Sequence, residues 1–389
     1  MHTGRVVFSE WIAHLPHKEF HKCVTRYHND SKPRKLSYWD QYLVMTFAQL
    51  TYRESLRDIE ACLGSVTGKL FHLGFRGDVA RSTLADANET RDWRIFADFA
   101  QVLIGIARPL YADDPLGVDL DHSLYALDST TIDLCRKLFP WAKFRKHKAA
   151  VKMHTMLDLH GNIPTFIRIS DGKLSDVKVL DDIAIEAGAF YVFDRGYLDF
   201  ARLHRFTRSS AFFVTRTKKN VVLRRRYSHA VDKSTGVRSD QTVILGTVGS
   251  ARAYSDPLRL VSYVAPETNK RLKILTNNFT LPALTIAQIY KCRWQIELFF
   301  KWIKQHLRIK AFFGTSENAV KTQIWIAVSV YVLVAIVRKR LGLEVSLYQI
   351  LQILSVTLFQ KTPILQALQV SDSRNDLLDS RKQLNLWGF

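Results

Sequence analysis

SLYALDST (residues 123–130) sets an unbroken apolar run, Leu124-Tyr125-Ala126-Leu127, directly against an aspartate. A run that is apolar at every position suits a strand buried on both faces of a sheet. It predicts a strand that delivers Asp128 at or near its end. Downstream, VKMHTMLDLHGNIPTFIRIS (151–170) reads as two strands joined by a turn at Gly161-Asn162, a good hairpin signal. DVKVLDDIAIEAG (176–188) predicts a helix, and AFYVF (189–193) a second buried strand that ends on Asp194-Arg195-Gly196-Tyr197. Another helix and the strand AFFVTRT (211–217) follow. Three strands, helix, strand, helix, strand is the order of a ribonuclease-H-like mixed sheet, in which the first and fourth strands are neighbours. Asp128 and Asp194 are then expected side by side. Asp119, Asp121 and Asp133 are rival first carboxylates, but only Asp128 directly terminates the apolar run.

A third acid comes from YKCRWQIELFFKWIKQHLRIK (290–310), read as one helix. At about 100° per residue, with Tyr290 at zero, Arg293 falls near −60°, Glu297 near −20° and Lys304 near −40°. All four share one face. Ile289, Ile296, Phe300, Ile303 and Leu307 cluster in a separate apolar stripe suited to docking the helix on a core. The competing reading of the polar stripe is a solvated face with a Glu297/Lys301 pair. Two aspartates and a glutamate converging from different elements suit hard divalent ions such as Mg²⁺. A pair of such ions roughly 4 Å apart activates an attacking oxygen and stabilises the leaving one at a phosphodiester. No phosphate-binding Walker loop, nucleophile elbow or HExxH motif competes for the role.

Charge bounds the partner. The 389 residues carry 56 Lys+Arg against 36 Asp+Glu, net +20 with pI near 9.8, while 47% hydrophobic content excludes a disordered basic tail. A folded, basic protein of this kind is expected to meet nucleic acid, with an anionic membrane surface as the other polyanion within reach. The four cysteines are scattered, without metal-ligand or disulfide spacing, which fits a reducing compartment. MHTGRVVFSEWIAHLP (1–16) is polar too early for a signal peptide. The apolar stretch Ile324–Val337 is too short to cross a bilayer and reads as a buried helix, so no membrane partner is expected.

Residues 1–110 read as a helical DNA-binding domain. Apolar spacing runs through WDQYLVMTFAQLTYRESLRDIEACL (39–63) and STLADANETRDWRIFADFAQVLIGIA (82–107), separated by a glycine-containing break, with Ser82 or Thr83 as a cap. Arg81, Asn88, Arg91 and Arg94 on or near the second helix would suit entry into a DNA groove, a plain helical bundle being the alternative. The catalytic core spans 111–218 and 281–340. Between its halves, 219–280 reads as a β-rich insertion, from VVLRRRYS (221–228), TVILGTV (242–248), LRLVSYVA (258–265) and RLKILTN (271–277). Arg224, Arg225, Arg226 and Tyr227 there grip DNA backbone or guard a strand edge. The region 341–389 is read as helical. Its SLYQILQILSVTLFQ (346–360) holds more apolar residues than one small helix buries alone, which suggests a dimer contact.

LYALDSTTIDL (124–134), FDRGY (193–197) and the 290–310 block together resemble the three motif blocks of DDE transposases from bacterial insertion sequences. The Y-x2-R-x3-E-x6-K helix signature is that of the insertion sequence 4 group. The resemblance spans the chain and implies that Asp128, Asp194 and Glu297 form a metal-binding triad. It implies that Tyr290, Arg293 and Lys304 handle the transposon-end DNA, with Arg195 beside them. It further implies two Mg²⁺ ions, replaceable by Mn²⁺, and double-stranded DNA as partner at transposon ends and target. A homodimer on DNA and a place in the bacterial cytoplasm at the nucleoid complete the implication. Some relatives cut the second strand through a hairpin, helped by an aromatic side chain that stacks a flipped base. Trp294, Trp302 and Tyr227 are the aromatics available, and none is assigned. The other readings are a ribonuclease-H-like nuclease or resolvase that cuts without joining, and a catalytically silent DNA-binding regulator.

Overall fold

The computed structural model describes residues 5–27, 35–145, 148–266, 269–307, 309 and 311–368. Among the described residues six α-helices precede the sheet: α1 (Val7–Ile12), α2 (His17–Tyr27), α3 (Tyr38–Leu50), α4 (Leu56–Gly64), α5 (Arg81–Thr90) and α6 (Arg94–Tyr111). Neither Ser82 nor Thr83 caps α5. Its first residue, Arg81, donates its N–H to the Glu60 carboxylate on α4 at 2.8 Å, so a neighbouring helix supplies the acceptor. The expected groove-reading face of α5 is largely spoken for. Asn88 is buried and accepts from Gln41 Nε2 at 2.8 Å, while Arg91 reaches back to the carbonyls of Leu36 and Ser37 and stacks on Tyr38. Arg94 is paired with Asp92. Asn88 and Arg91 thus tie α5 to α3 and its capped start, which is the helical-bundle alternative.

The strands are β1 (Leu124–Leu134), β2 (Lys143–Arg145), β3 (Lys148–Asp158), β4 (Ile163–Asp171), β5 (Phe190–Phe193), β6 (Phe212–Arg216), β7 (Leu223–His229), β8 (Val237–Leu245), β9 (Leu258–Val264) and β10 (Arg271–Thr276). β1 lies between antiparallel β3 and parallel β5; β4 adds to the far edge of β3, and β6 lies parallel to β5. The order β4-β3-β1-β5-β6 is the ribonuclease-H-like mixed sheet that the strand succession predicts. Gly161 (φ 71°) and Asn162 (φ 58°) close the β3–β4 hairpin with two left-handed residues, the geometry that lets a tight turn follow the strand twist. A side chain at Gly161 would also strike the Tyr111 ring. β1 and β5 are apolar at every position because each face meets its own core. Leu124, Ala126 and Val192 join one buried cluster, and Tyr125, Leu127, Tyr191 and Phe193 the other.

One expectation needs correction here. Residues 176–188 form no α-helix but a 3₁₀ segment, Asp176–Asp182. Its acids are drawn outward to partners, Asp176 to Lys152, Asp181 to Arg202 and Arg205, and Asp182 to Arg168, while adjacent Val179 and Leu180 are buried. The β-rich stretch between the two halves of the core joins the main sheet. β10 pairs antiparallel with β6, and β9, β8 and β7 follow, extending the catalytic sheet to ten strands. Strand β6 would otherwise leave an open edge. The new outer edge, β7, carries exposed Arg224, Arg225, Arg226 and Tyr227.

Between β5 and β6 runs α7 (Phe200–Arg208), capped by Asp199, and between β8 and β9 the short α8 (Val248–Ala253). The 290–310 block is two helices, not one: α9 (Ala283–Cys292) and α10 (Trp294–His306) meet at Arg293, whose backbone keeps helical angles while Arg293 and Ile296 make tighter i→i−3 hydrogen bonds. Its apolar stripe is buried as expected, Ile289, Ile296, Phe300, Ile303 and Leu307 all lying in the core.

α11 (Glu317–Arg340), α12 (Leu347–Thr357) and α13 (Ile364–Leu368) end the described chain. α11 contains the stretch 324–337 but runs for 24 residues, long and apolar enough to cross a membrane, so the length argument fails. Burial decides instead: α3, α5, α6, α10 and α12 pack against it, and every residue from Thr322 to Val337 is enclosed. Ile350, Leu351 and Leu354 of α12, with Leu358, are likewise buried within this chain. The surplus of apolar residues that suggested a dimer contact is thus mostly spent on the core, leaving Tyr348 and Val356 exposed. Residues 369–389, the rest of the expected C-terminal region, lie outside the described residues. α1 docks on this end of the chain, Val7 and Phe8 donating N–H to the carbonyls of Gln360 and Leu358.

Candidate active site

The parallel ladder of β1 and β5 ends at Leu127 and Phe193, so Asp128 and Asp194 occupy the next position on neighbouring strands. β1 itself continues to Leu134, pairing only with β3, so Asp128 stands mid-strand where its parallel partner stops. Glu297 arrives from α10, which packs on β1. Arg293 joins the acids: Nη1 donates to Asp128 Oδ2 at 3.1 Å and Nη2 to Glu297 Oε1 at 2.5 Å. Glu297 therefore pairs backward with Arg293. Lys304 Nζ donates to the Thr131 carbonyl at 2.8 Å and fastens the far end of α10 to β1.

Burial pushes the Asp128 carboxyl up to about 6. The Ser129 N–H and the Arg293 guanidinium pull against that rise, and the charges of Asp194 and Glu297 add to it. The charges of Asp194 and Glu297 thus bear on Asp128 as parts of one electrostatic unit. Asp119 and Asp121 lie exposed in the loop before β1, and Asp133 is exposed farther along β1, so none of the rivals joins this unit.

Tyr290 departs from expectation. It is only 6% exposed, with the Arg293 guanidinium 6.0 Å from its ring centroid, and burial pushes its hydroxyl up. It backs Arg293 and offers little surface to DNA. Arg195 is exposed immediately after Asp194, whereas Arg224, Arg225 and Arg226 sit on the edge strand β7.

A supporting layer escaped the sequence reading. Ser129 Oγ donates to Asp176 Oδ1 at 2.8 Å, and Lys152 Nζ donates to the same oxygen at 3.1 Å. His154, fully buried, places Nδ1 3.6 Å from that oxygen and shares a 3.1 Å hydrogen bond through Nε2 with Ser170. A signal for two of these lies in the pairing of β3 with β1, which the Gly161-Asn162 turn does not set: there His154 falls opposite Ser129 and Lys152 opposite Thr131. Asp176 gave no such signal.

Burial lowers the His154 pKa to about 4, with Lys152 and Arg168 lowering it further and Asp176 and Asp182 opposing. The unfolded imidazole takes a proton near pH 6.5, which the folded one refuses until about pH 4. Stability is thus full above 6.5 and lost as pH falls toward 4. Between pH 7 and pH 5 this single group is expected to cost about 2 kcal/mol. Denaturant titrations of wild type and His154→Gln at both pH values check it, and an equal loss in both proteins refutes it.

A protein-family model described as "Transposase DDE domain" matches residues 119–333, more than half the chain and all three carboxylates. The chain belongs to the DDE transposase family. A second model, "Domain of unknown function (DUF4372)", matches residues 3–76. Relatives include the Sinorhizobium fredii protein named "Putative transposase y4zB", 35% identical over 285 residues, 72% of this chain and 78% of that one. Another is the Geobacillus stearothermophilus "Probable transposase for insertion sequence element IS5377", 33% identical over 54% of this chain and 55% of that one. Among solved structures, a piggyBac transposase synaptic complex with hairpin DNA is similar over 95% of this chain and 82% of that chain, at 12% identity and TM-score 0.46.

As a DDE transposase the protein is an enzyme that acts on DNA, and the family generally uses divalent metal ions. The donor set fits: Asp128, Asp194 and Glu297 offer hard carboxylate oxygens at one edge of the sheet. Among the described residues no three acidic, histidine or cysteine side chains close on a common point, because Arg293 is interposed between Asp128 and Glu297. Bound there, a divalent ion would polarise a phosphoryl oxygen and its attacking water.

Proposed function

We propose that this transposase binds the terminal inverted repeats of its insertion sequence, cleaves there and joins the freed 3′-hydroxyl to target DNA, with two Mg²⁺ ions held by Asp128, Asp194 and Glu297 and Mn²⁺ able to replace them. The observation that carries this is the placement of Asp128 and Asp194 side by side on adjacent parallel strands, with a glutamate helix tied to Asp128 through Arg293. The net charge of +20 supports a polyanionic substrate. Because an insertion has two ends, two copies on DNA are proposed, within the bacterial nucleoid. Light scattering with end oligonucleotides should show two proteins per paired complex.

The test is a plasmid carrying the gene's own flanking DNA, incubated with the full chain and Mg²⁺. Cleavage at the repeats with joined products is expected. Nicks without joined products would instead mark a nuclease, and binding without cleavage a silent regulator.

Arg293→Ala should slow single-turnover cleavage of pre-bound end DNA on the order of 10²-fold, the usual loss when one preorganised donor near developing charge is removed. A merely structural ion pair predicts unchanged kinetics, with the loss confined to stability. Wild-type rates at saturating DNA rule out a catalytic part for Arg293.

A further inference from the structure

A second basic feature opens from the catalytic edge. One register step beyond the pairing of Phe193 with Thr215, the ends of β5 and β6 bring Asp194 and Arg216 together, and Arg195 follows on. From Arg195 and Arg216 a groove of about 550 Å³ crosses the face of the extended sheet. Lys218 and Lys219 flank it after β6, Arg271 and Lys273 project from β10, and Arg225 closes it on β7. No aspartate or glutamate is among its described lining residues. Its floor is apolar, with Leu223, Val243 and Leu260 from three consecutive strands.

Seven cations without a lining acid define a polyanion site. The floor and the size choose among polyanions. A duplex presents an outer wall of phosphates, has no use for an apolar floor and does not enter a space of this volume. A single strand tracks its phosphates along basic walls and lays base faces on apolar surface, with little sequence preference. We propose that this groove binds an unpaired DNA strand next to the scissile phosphate, so the strands added beyond β6 serve as a single-strand track leading from Asp194. The assignment rests on the reading of the catalytic edge as a DNA-cleaving site. Of the edge arginines expected to grip DNA, it retains Arg225 and leaves Arg224 and Arg226 outside.

The test uses the full chain, a labelled oligothymidylate and a blunt duplex of unrelated sequence, titrated at several salt concentrations. In the Lys218→Glu/Arg271→Glu/Lys273→Glu variant, oligothymidylate affinity should fall at least about 10-fold. Duplex affinity should fall less than about 3-fold, since most duplex phosphates are met elsewhere. The log–log salt slope for oligothymidylate should become shallower by about 2, that is, about 0.7 for each phosphate no longer neutralised. Should the triple variant not fold, Lys273→Gln alone should flatten that slope by about 0.7. Equal losses for both DNAs, or none for the single strand, overturn the groove. Because a homopolymer contains no transposon end, the outcome is independent of transposition itself. End cleavage together with unchanged oligothymidylate binding would sink only the groove, and a single-strand preference without end cleavage would sink only the transposition reading.

Discussion

Asp128→Ala, Asp194→Ala and Glu297→Ala, each alone, should reduce end cleavage in Mg²⁺ by on the order of 10³-fold or more, since a lost metal ligand removes several kcal/mol of charge stabilisation. DNA binding should persist, because basic residues outside the triad supply it. Asp133→Ala, on the same strand but exposed, should keep wild-type activity. Stability offers a second readout. Asp128 is a half-buried carboxylate crowded by two others and held by one arginine, so Asp128→Asn should melt no lower than wild type near pH 8. Active sites commonly carry groups that cost the fold something. Normal cleavage by any of the three alanine variants removes that residue from the site; a much lower melting point for Asp128→Asn would make Asp128 a structural partner of Arg293.

The largest loss of stability is expected away from the triad, at Asp240. Its carboxylate receives Arg259 Nε at 2.9 Å and Nη2 at 2.8 Å, and both side chains are only 7% exposed. Arg259 also donates to the carbonyls of Asn278 and Leu281, in the segment that leads into α9. Removing one member of a buried pair strands the other charge, at about 3 to 5 kcal/mol. Asp240→Ala should therefore lose that much in denaturant titrations and loosen the approach to the glutamate helix, lowering cleavage in proportion to the unfolded fraction. A loss below about 1 kcal/mol would place the pair among weakly coupled surface ions.

Sequence legibility followed local dominance. The β1–β5 pairing, the hairpin turn and the apolar stripe of α9 and α10 were readable because a continuous apolar run, two turn residues and a helical period each admit one structure. The three acids could be selected because they end or ride on those elements. What stayed hidden depends on partners distant in sequence. The break at Arg293, Tyr290 as a buried backing, Asp176 beneath Ser129 and the merging of β7–β10 into the main sheet are each fixed by a neighbour that no local pattern names. Two side chains of the N-terminal helices follow the same rule: Asn88 and Arg91 look like base readers until α3 and the chain entering it are seen to claim them.

The enclosure of α11 sets the order in which this chain can mature on the ribosome. α3, α5 and α6 are synthesised early, yet the helix that covers their apolar faces spans Glu317–Arg340 and emerges only after Asp128, Asp194 and Glu297 have all been made. α1 waits longer still, for the carbonyls of Leu358 and Gln360. A product cut short by premature termination would therefore lack a finished N-terminal half as well as its last helices, exposing apolar surface to the quality-control proteases of its host. Interrupted copies of such a gene should yield no stable N-terminal fragment to compete with intact enzyme for DNA.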